Sequence, residues 1–395
     1  MAIHPNELPG LVAQMSAMVN SSHGSAPNEA MQDLAEKILF ATRPHMIDPM
    51  KRVFHIVDTL VIRLLIDWKV FDAIPVEGAV SYADLASKVD AEESILKRFV
   101  WVMVSRKILT QVGENLVAHT DVSRGYRQGT QQSYLFLFYY DEVLASSIKM
   151  PEYFARYGRR EPLAQTHTPF SFGHGEPGKT VWEIAHESSE RLRRVMEAMG
   201  SVQLGPMVAA SYDFGWVRGR VAEAEERDRV LFVDVGSGKG HVTKAVLAQN
   251  GFIPRRLAVL EDREEVVKAV AEAGEPGLEG VRLQGHDFHT EQPIKNALIY
   301  FICRCIHDYG DETAVKMMRQ LRDAMAPDSK LLVAECVMSD PPTSFEAMMD
   351  FTMIDLGGKE RTAKDWVELA ARAGLRVENI HGVGREIQVV ECVKV

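Results

Sequence analysis

The run Leu231-Phe232-Val233-Asp234-Val235-Gly236-Ser237-Gly238-Lys239-Gly240-His241 constrains the fold more than any other stretch of the chain. Its apolar, β-branched half reads as a buried strand, and an amphipathic helix pattern follows in Val242, Ala245 and Val246. Between them stand three glycines at alternate positions. Glycines at a strand-to-helix turn allow positive φ and let a ligand approach the backbone closely. The spacing is G-x-G-x-G, whereas a dinucleotide fingerprint, G-x-G-x-x-G, would need a glycine where His241 stands. The turn therefore points away from a pyrophosphate ligand and towards S-adenosylmethionine (SAM), whose amino-acid end needs only a tight backbone turn.

The region around this turn alternates strand and helix signals. Candidate strands are Val230–Val235, Arg256–Leu260, Val281–Gln284, Ala297–Cys303 and Lys330–Ala334, with a final hairpin of Arg376–Ile380 and Glu386–Cys392 around Gly382-Val383-Gly384. The pattern implies an α/β domain on a seven-stranded, Rossmann-like sheet over residues 226–395. Residues 131–225 read as a mostly helical connector contributing to a substrate pocket, and residues 1–130 as a separate domain. Within that domain the order is two short helices flanking a polar break at residues 21–28, a helix from Pro49 to Trp68, a capped helix opening at Ser81, a helix from Glu92 to Ser105, and a hairpin around Gly113-Glu114-Asn115. That order is a winged helix. Its third helix (Ile95, Leu96, Phe99, Val100, Val102, Met103) is too apolar for DNA, and a net charge of −10 also disfavours nucleic acid. A packing or dimerisation role is expected, giving a homodimer. Four cysteines without zinc-site spacing read as free thiols of a reducing, cytoplasmic compartment. No signal peptide is apparent, and no apolar stretch approaches the ~18 residues of a membrane span.

In open α/β sheets ligands bind at the carboxyl ends of the strands. Just past successive predicted strand ends stand Gly236, Gly238 and Gly240; Glu261-Asp262; Asp287-Phe288; His307-Asp308; and Glu335. Asp262 follows the last glycine at about the distance of a carboxylate that accepts ribose hydroxyls. Asp287 and Phe288 suit the edge and face of an adenine. The apolar stretch Phe345, Met348, Met349, Phe351, Met353 and Ile354 reads either as an aromatic pocket or as plain core. His286, Asp287 and His289 fit no standard metal spacing.

The stretches Val233-Asp234-Val235-Gly236, Gly285-His286-Asp287-Phe288, Ile306-His307-Asp308-Tyr309, Ala334-Glu335-Cys336 and Gly357-Gly358-Lys359-Glu360-Arg361-Thr362 resemble the class I SAM-dependent O-methyltransferases, of the plant caffeate/flavonoid type and its fungal relatives. The resemblance spans roughly residues 45–395 and implies a dimerisation role for the winged helix. It also implies His307 as general base, Glu335 and Glu360 as its flanking carboxylates, no metal, and a small hydroxylated acceptor of aromatic or polyketide type. Two departures stand out. Ser237 replaces a third glycine, and Cys303-Arg304 replaces a lysine near the cofactor. Some fungal proteins of this appearance bind SAM but catalyse pericyclic or dehydration steps. Retention of His307, Glu335 and Glu360 favours methyl transfer over that alternative.

Overall fold

Beyond residue 229 the apolar runs pair into one sheet. The computed structural model describes residues 7–21, 29–42, 46, 48–162, 165–201 and 204–395. The chain divides into two units, Met1–Gln128 and Gly129–Val395. In the second, seven strands form the sheet: β1 (Phe232–Val235), β2 (Ala258–Asp262), β3 (Arg282–Gly285), β4 (Ile299–Cys303), β5 (Lys330–Glu335), β6 (Leu375–His381) and β7 (Gln388–Lys394). Their order is β6-β7-β5-β4-β1-β2-β3, with β7 antiparallel to both neighbours and the pairs among β1 to β5 parallel. β2 starts two residues later than the sequence pattern suggests, because Arg255–Leu257 forms a 3₁₀ turn after Pro254.

The strands read as unbroken apolar runs because helices cover both faces. Tyr300 and Ile302 of β4 pack with Met317, Met318, Leu321, Trp366 and Leu369 on one face. Ile299 and Phe301 pack with Val242, Val246 and Leu247 on the other. Each such burial contributes about 1.5–3 kcal/mol. The strand order reverses between β4 and β1, which opens a crevice above their carboxyl ends.

The helical residues before β1 belong to this same unit. A π-helical turn, Tyr139–Leu144, carries the buried Glu142, which faces Arg191 at 3.2 Å and His174 at 3.7 Å. His174 is thus a satisfied internal histidine, its pKa lowered by burial.

The first unit has the winged-helix order. Helices Asp48–Asp67, Tyr82–Lys88 and Glu93–Ser105 precede a three-stranded sheet in which Leu116–His119 lies between Val80–Ser81 and Leu109–Val112. Ser81 caps its helix by accepting from the Asp84 amide. Leu65, Phe71, Leu85, Leu96, Val100 and Val117 form its core. The helix Asp48–Asp67 buries Val61, Ile62 and Leu65 but exposes Val53, Phe54, Ile56, Val57 and Leu60. Before it come helices Leu8–Ser21 and Glu29–Ala41. The polar break expected between them lies, beyond Ser21, outside the described residues. No described helix is long and apolar enough to cross a membrane.

Candidate active site

The glycine turn leaves β1 with Gly236, Gly238 and Gly240 all at positive φ (69°, 55° and 72°). The three glycines serve different ends. A Cβ on Gly240 would strike Leu260 at 2.7 Å and Leu278 at 3.0 Å, so its bare Cα serves packing against β2. A Cβ on Gly236 would meet Cys305 Sγ at 2.8 Å and the Phe288 ring at 3.4 Å. Above Gly238 nothing lies within 4 Å, so its backbone is the one open to a ligand. Ser237 is accommodated because its hydroxyl and amide both donate to the Glu261 carbonyl, at 3.1 and 3.0 Å.

Asp262 closes the turn from the next strand. Its carboxylate accepts from the Gly238 amide at 2.7 Å and from the Arg263 amide at 2.8 Å. Burial pushes its pKa up, against the pull of these amides. Glu261, beside it, points into the protein and accepts from Gln292 at 2.8 Å, and burial raises its pKa to about 7. Phe288 stands by Gly236 and edge-on to Tyr309, with ring centres 6.1 Å apart. Asp287 is exposed and accepts from the His289 amide, and His289 meets the Tyr309 hydroxyl at 3.3 Å. The turn, Asp262 and Phe288 thus share one end of the crevice, while Asp287 sits at its rim.

Past β4 the chain turns sharply at Arg304, a non-glycine residue at φ 51°, and enters a short 3₁₀ turn, Ile306–Asp308. Glu335, at the end of β5, fixes that turn. Its Oε1 accepts from the amides of Cys305, Ile306 and His307 at 3.2, 3.0 and 3.3 Å. The two carboxylates expected to flank His307 therefore divide the work. Glu335 holds the backbone and its Oε2 lies 4.0 Å from His307 Nδ1, whereas Glu360 Oε1 meets that nitrogen at 2.9 Å.

The segment Gly357–Thr362 explains its own composition. Gly357 ends the helix Ser344–Leu356 in a left-handed conformation. Gly358 passes so close that a Cβ would lie 2.1 Å from the His307 carbonyl oxygen. The Lys359 amide donates to that oxygen at 2.7 Å. Arg361 is buried and bonds Asp311 and the Tyr309 carbonyl, and Thr362 caps the next helix. One short stretch thus ends a helix, grips the His307 turn from two sides and starts another helix.

Arg304 completes the group. Its Nη1 lies 2.9 Å from Glu360 Oε1, the oxygen that also meets His307, and 3.8 Å from Glu335 Oε2. Burial and Arg304 favour the neutral His307 ring, but Glu335, Asp308 and the Glu360 hydrogen bond outweigh them and hold its pKa above the usual 6.5. For Glu360, burial opposes ionisation and is overcome by His307 and Arg304, so its carboxyl is held low. Among the described residues, His307, Glu335 and Glu360 are the set whose ligand atoms, all within 4.8 Å of one another, could hold a metal ion. The Arg304 guanidinium already supplies a cation there. The sequence marks Arg304 only as a departure, and Arg361 only as part of the Gly357–Thr362 stretch, with no role for its side chain. The signal for Arg304 was a buried histidine between two carboxylates, which calls for a positive charge nearby.

The expected pocket stretch lies on the helix Ser344–Leu356. Phe345, Met348 and Phe351 are exposed there and Met353 is buried, so the stretch is not plain core. The helix is tied to the site through Asp350, whose carboxylate accepts from the Glu360 amide at 2.9 Å.

A parallel-rich sheet of this order, with a glycine turn at the point where the strand order reverses, defines a Rossmann-like α/β domain with its ligand crevice at the strand ends. The model of the O-methyltransferase domain matches residues 160–376, and that of the O-methyltransferase dimerisation domain matches residues 50–129. The chain belongs to the class I SAM-dependent O-methyltransferases. Methyltransferase cfoD of Aspergillus candidus is 32% identical over 369 residues, covering 92% of this chain and 91% of that protein. Methyltransferase pvhD of Talaromyces variabilis is 36% identical over 329 residues, covering 83% and 90%. Among solved structures, OxaC in complex with sinefungin and meleagrin shares the fold at TM-score 0.85 and 22% identity, over 98% of this chain and 99% of that one. LepI in complex with SAM does so at TM-score 0.86 and 18% identity, over 98% and 100%.

Proposed function

We propose that this protein methylates a hydroxyl of an aromatic or polyketide-type metabolite, with His307 taking the proton. One observation carries the reading. His307 Nδ1 lies 2.9 Å from Glu360, whose carboxyl is held ionised, so in its neutral form the ring carries its hydrogen on Nδ1 and its lone pair on Nε2. A phenol of pKa near 10 that sheds its proton as it attacks matches such a base, and proton removal of this kind is worth about 10²–10⁴ in rate. Asp262, the open backbone of Gly238, Gly236 and Phe288 fit the methyl donor, with Asp287 at the rim for its adenine edge; Gly240 serves the turn indirectly. The donor, when bound, supplies a methyl group already activated by its sulfonium. Alignment and proton removal then suffice, and the reading without metal rests on Arg304 as the resident cation. The exposed apolar face of Phe345, Met348 and Phe351 suits an apolar acceptor.

The test is methyl-labelled SAM with a panel of phenols and polyketides. His307→Gln should lose at least about 100-fold in transfer and bind SAM as wild type does. Asp262→Ala should lose at least about tenfold in SAM affinity by calorimetry, since a charged acceptor is removed. A Gln variant with near wild-type turnover overturns the base role. A labelled panel that yields no methylated product, with SAM bound, favours the pericyclic or dehydrating alternative.

A further inference from the structure

The protein engages only one end of the Arg304 guanidinium. Nη1 donates to Glu360 Oε1 at 2.9 Å and stands 3.8 Å from Glu335 Oε2. Among the described residues Nε and Nη2 meet no partner, and neither is sealed from solvent, the side chain being 19% exposed. Those two nitrogens form the flat side of the group, whose parallel N–H bonds suit oxygen acceptors. The side chain is also held in place. Its backbone sits at φ 51°, a conformation that costs a non-glycine residue energy and persists where the surroundings demand it. The Arg304 amide, bonded to the Ala334 carbonyl at 3.0 Å, fixes the residue at the ends of β4 and β5.

Three further observations narrow the ligand. Glu360 Oε1 is the oxygen that His307 Nδ1 also meets, so the guanidinium and the imidazole are neighbours and can engage nearby atoms of one molecule. Tyr139, on the π-helical turn, has a hydroxyl with no partner among the described residues; burial pushes its pKa up and the Arg304 charge pulls against that. The connector therefore reaches the same part of the crevice. Finally, Glu335, Glu360 and Asp308 all lie around Arg304 and His307, and this crowd of carboxylates disfavours an anionic ligand. A neutral carbonyl oxygen satisfies all three.

We propose that Arg304 binds the acceptor: its flat side holds a carbonyl oxygen conjugated with the hydroxyl that is methylated. The preferred acceptors are then β-hydroxy-enones, that is, enolised 1,3-dicarbonyls and ortho-hydroxyaryl ketones. The inference rests on the reading of methyl transfer with His307 as base. In the step the acceptor O–H bond breaks and its proton passes to His307 Nε2. The O–C bond to the methyl group forms as the C–S bond of the donor breaks, and that electron pair stays on sulfur. Negative charge developing on the acceptor spreads onto the conjugated carbonyl, where the guanidinium offsets it.

The experiment compares two neutral acceptors of like shape and acidity, ortho-hydroxyacetophenone and ortho-ethylphenol, which differ in the carbonyl. Binding is read by ligand-observed NMR titration of protein loaded with S-adenosylhomocysteine, and turnover with methyl-labelled SAM. Wild type should favour the ketone by at least about tenfold in kcat/KM, the worth of one hydrogen bond to a charged group, and should bind it more tightly. In Arg304→Met that preference should fall to near unity while SAM affinity stays as in wild type. Should that variant not fold, Arg304→Lys, which keeps the charge without the flat side, should cut the preference by at least about threefold. A purely structural role for Arg304 would slow both acceptors alike and leave their ratio standing, and that result overturns the proposal. So does a wild type that methylates both alike, which leaves the methyl-transfer reading intact. An Arg304→Met protein that loses SAM affinity and keeps the preference also overturns it, because the flat side then serves the donor. If Arg304 sets a binding preference for the ketone while neither acceptor is methylated, the carbonyl site stands and the methyl-transfer reading falls.

Discussion

Gly358→Ala adds one methyl group at the tightest point of the site. The new carbon would lie 2.1 Å from the His307 carbonyl oxygen and 2.7 Å from the Asp308 carbonyl carbon, where ordinary contact begins at 3.4 Å. Both atoms are backbone, so no side chain can swing aside, and the two segments must part by about 1.3 Å. Parting them breaks the Lys359-to-His307 bond at 2.7 Å and strains the Gly358-to-Met353 bond at 2.7 Å. At about 1 kcal/mol each plus the exposed acceptors, the loss is about 2–3 kcal/mol, or roughly 5–10 °C in Tm for a unit of this size. Activity should suffer more, because a shift of about 1 Å between Glu360 and His307 is enough for a ~10²-fold loss of turnover. Gly219→Ala is the control, since nothing lies within 4 Å of its added carbon. Differential scanning fluorimetry and labelled-methyl turnover read both quantities. A Gly358→Ala enzyme that melts and turns over like Gly219→Ala would refute the claim that this glycine sets the position of His307.

Burial raises Asp355, which accepts from the Ser146 hydroxyl, to a pKa of about 7 from 3.8. A carboxyl raised in the folded state contributes most below its unfolded value and costs stability as pH climbs from about 4 through 7. Asp355→Asn should therefore melt about 3–8 °C above wild type at pH 8 and show little difference near pH 4; a constant offset across that range would rule out the ionisation. The exposed apolar face of the helix Asp48–Asp67 should be covered by a second copy of the chain, so sedimentation at micromolar concentration should give twice the 44.2 kDa chain mass, and a species of single mass would exclude it.

Much of the fold was legible because its signals are local. The β-branched run ending in Gly236, Gly238 and Gly240, and the alternation after it, announce a parallel sheet whose strand ends collect ligand groups. The edges of β2 were not legible, because Arg255–Leu257 carries the same apolar-charged pattern whether it pairs or turns. In the site, residue types were readable and their division of labour was not. Glu335 and Glu360 look alike in sequence, yet one accepts three amides and the other the ring. Gly240 looks like its two partners, but the fold brings Leu260 and Leu278 over its Cα. Arg304 stood out in sequence only as a departure, because its partners come from residues 31 and 56 positions further on.

The grip on His307 joins chain segments 28 and 53 residues apart. The Glu335 contact waits for β5 to dock beside β4, and the Glu360 contact for the helix Ser344–Leu356 to find its end. Closing such loops is slow compared with forming helices, so the chain should regain its helical content before His307 regains its two carboxylate partners. A nascent or half-refolded molecule that has already bent its glycine turn would still lack the carboxylate contacts around His307.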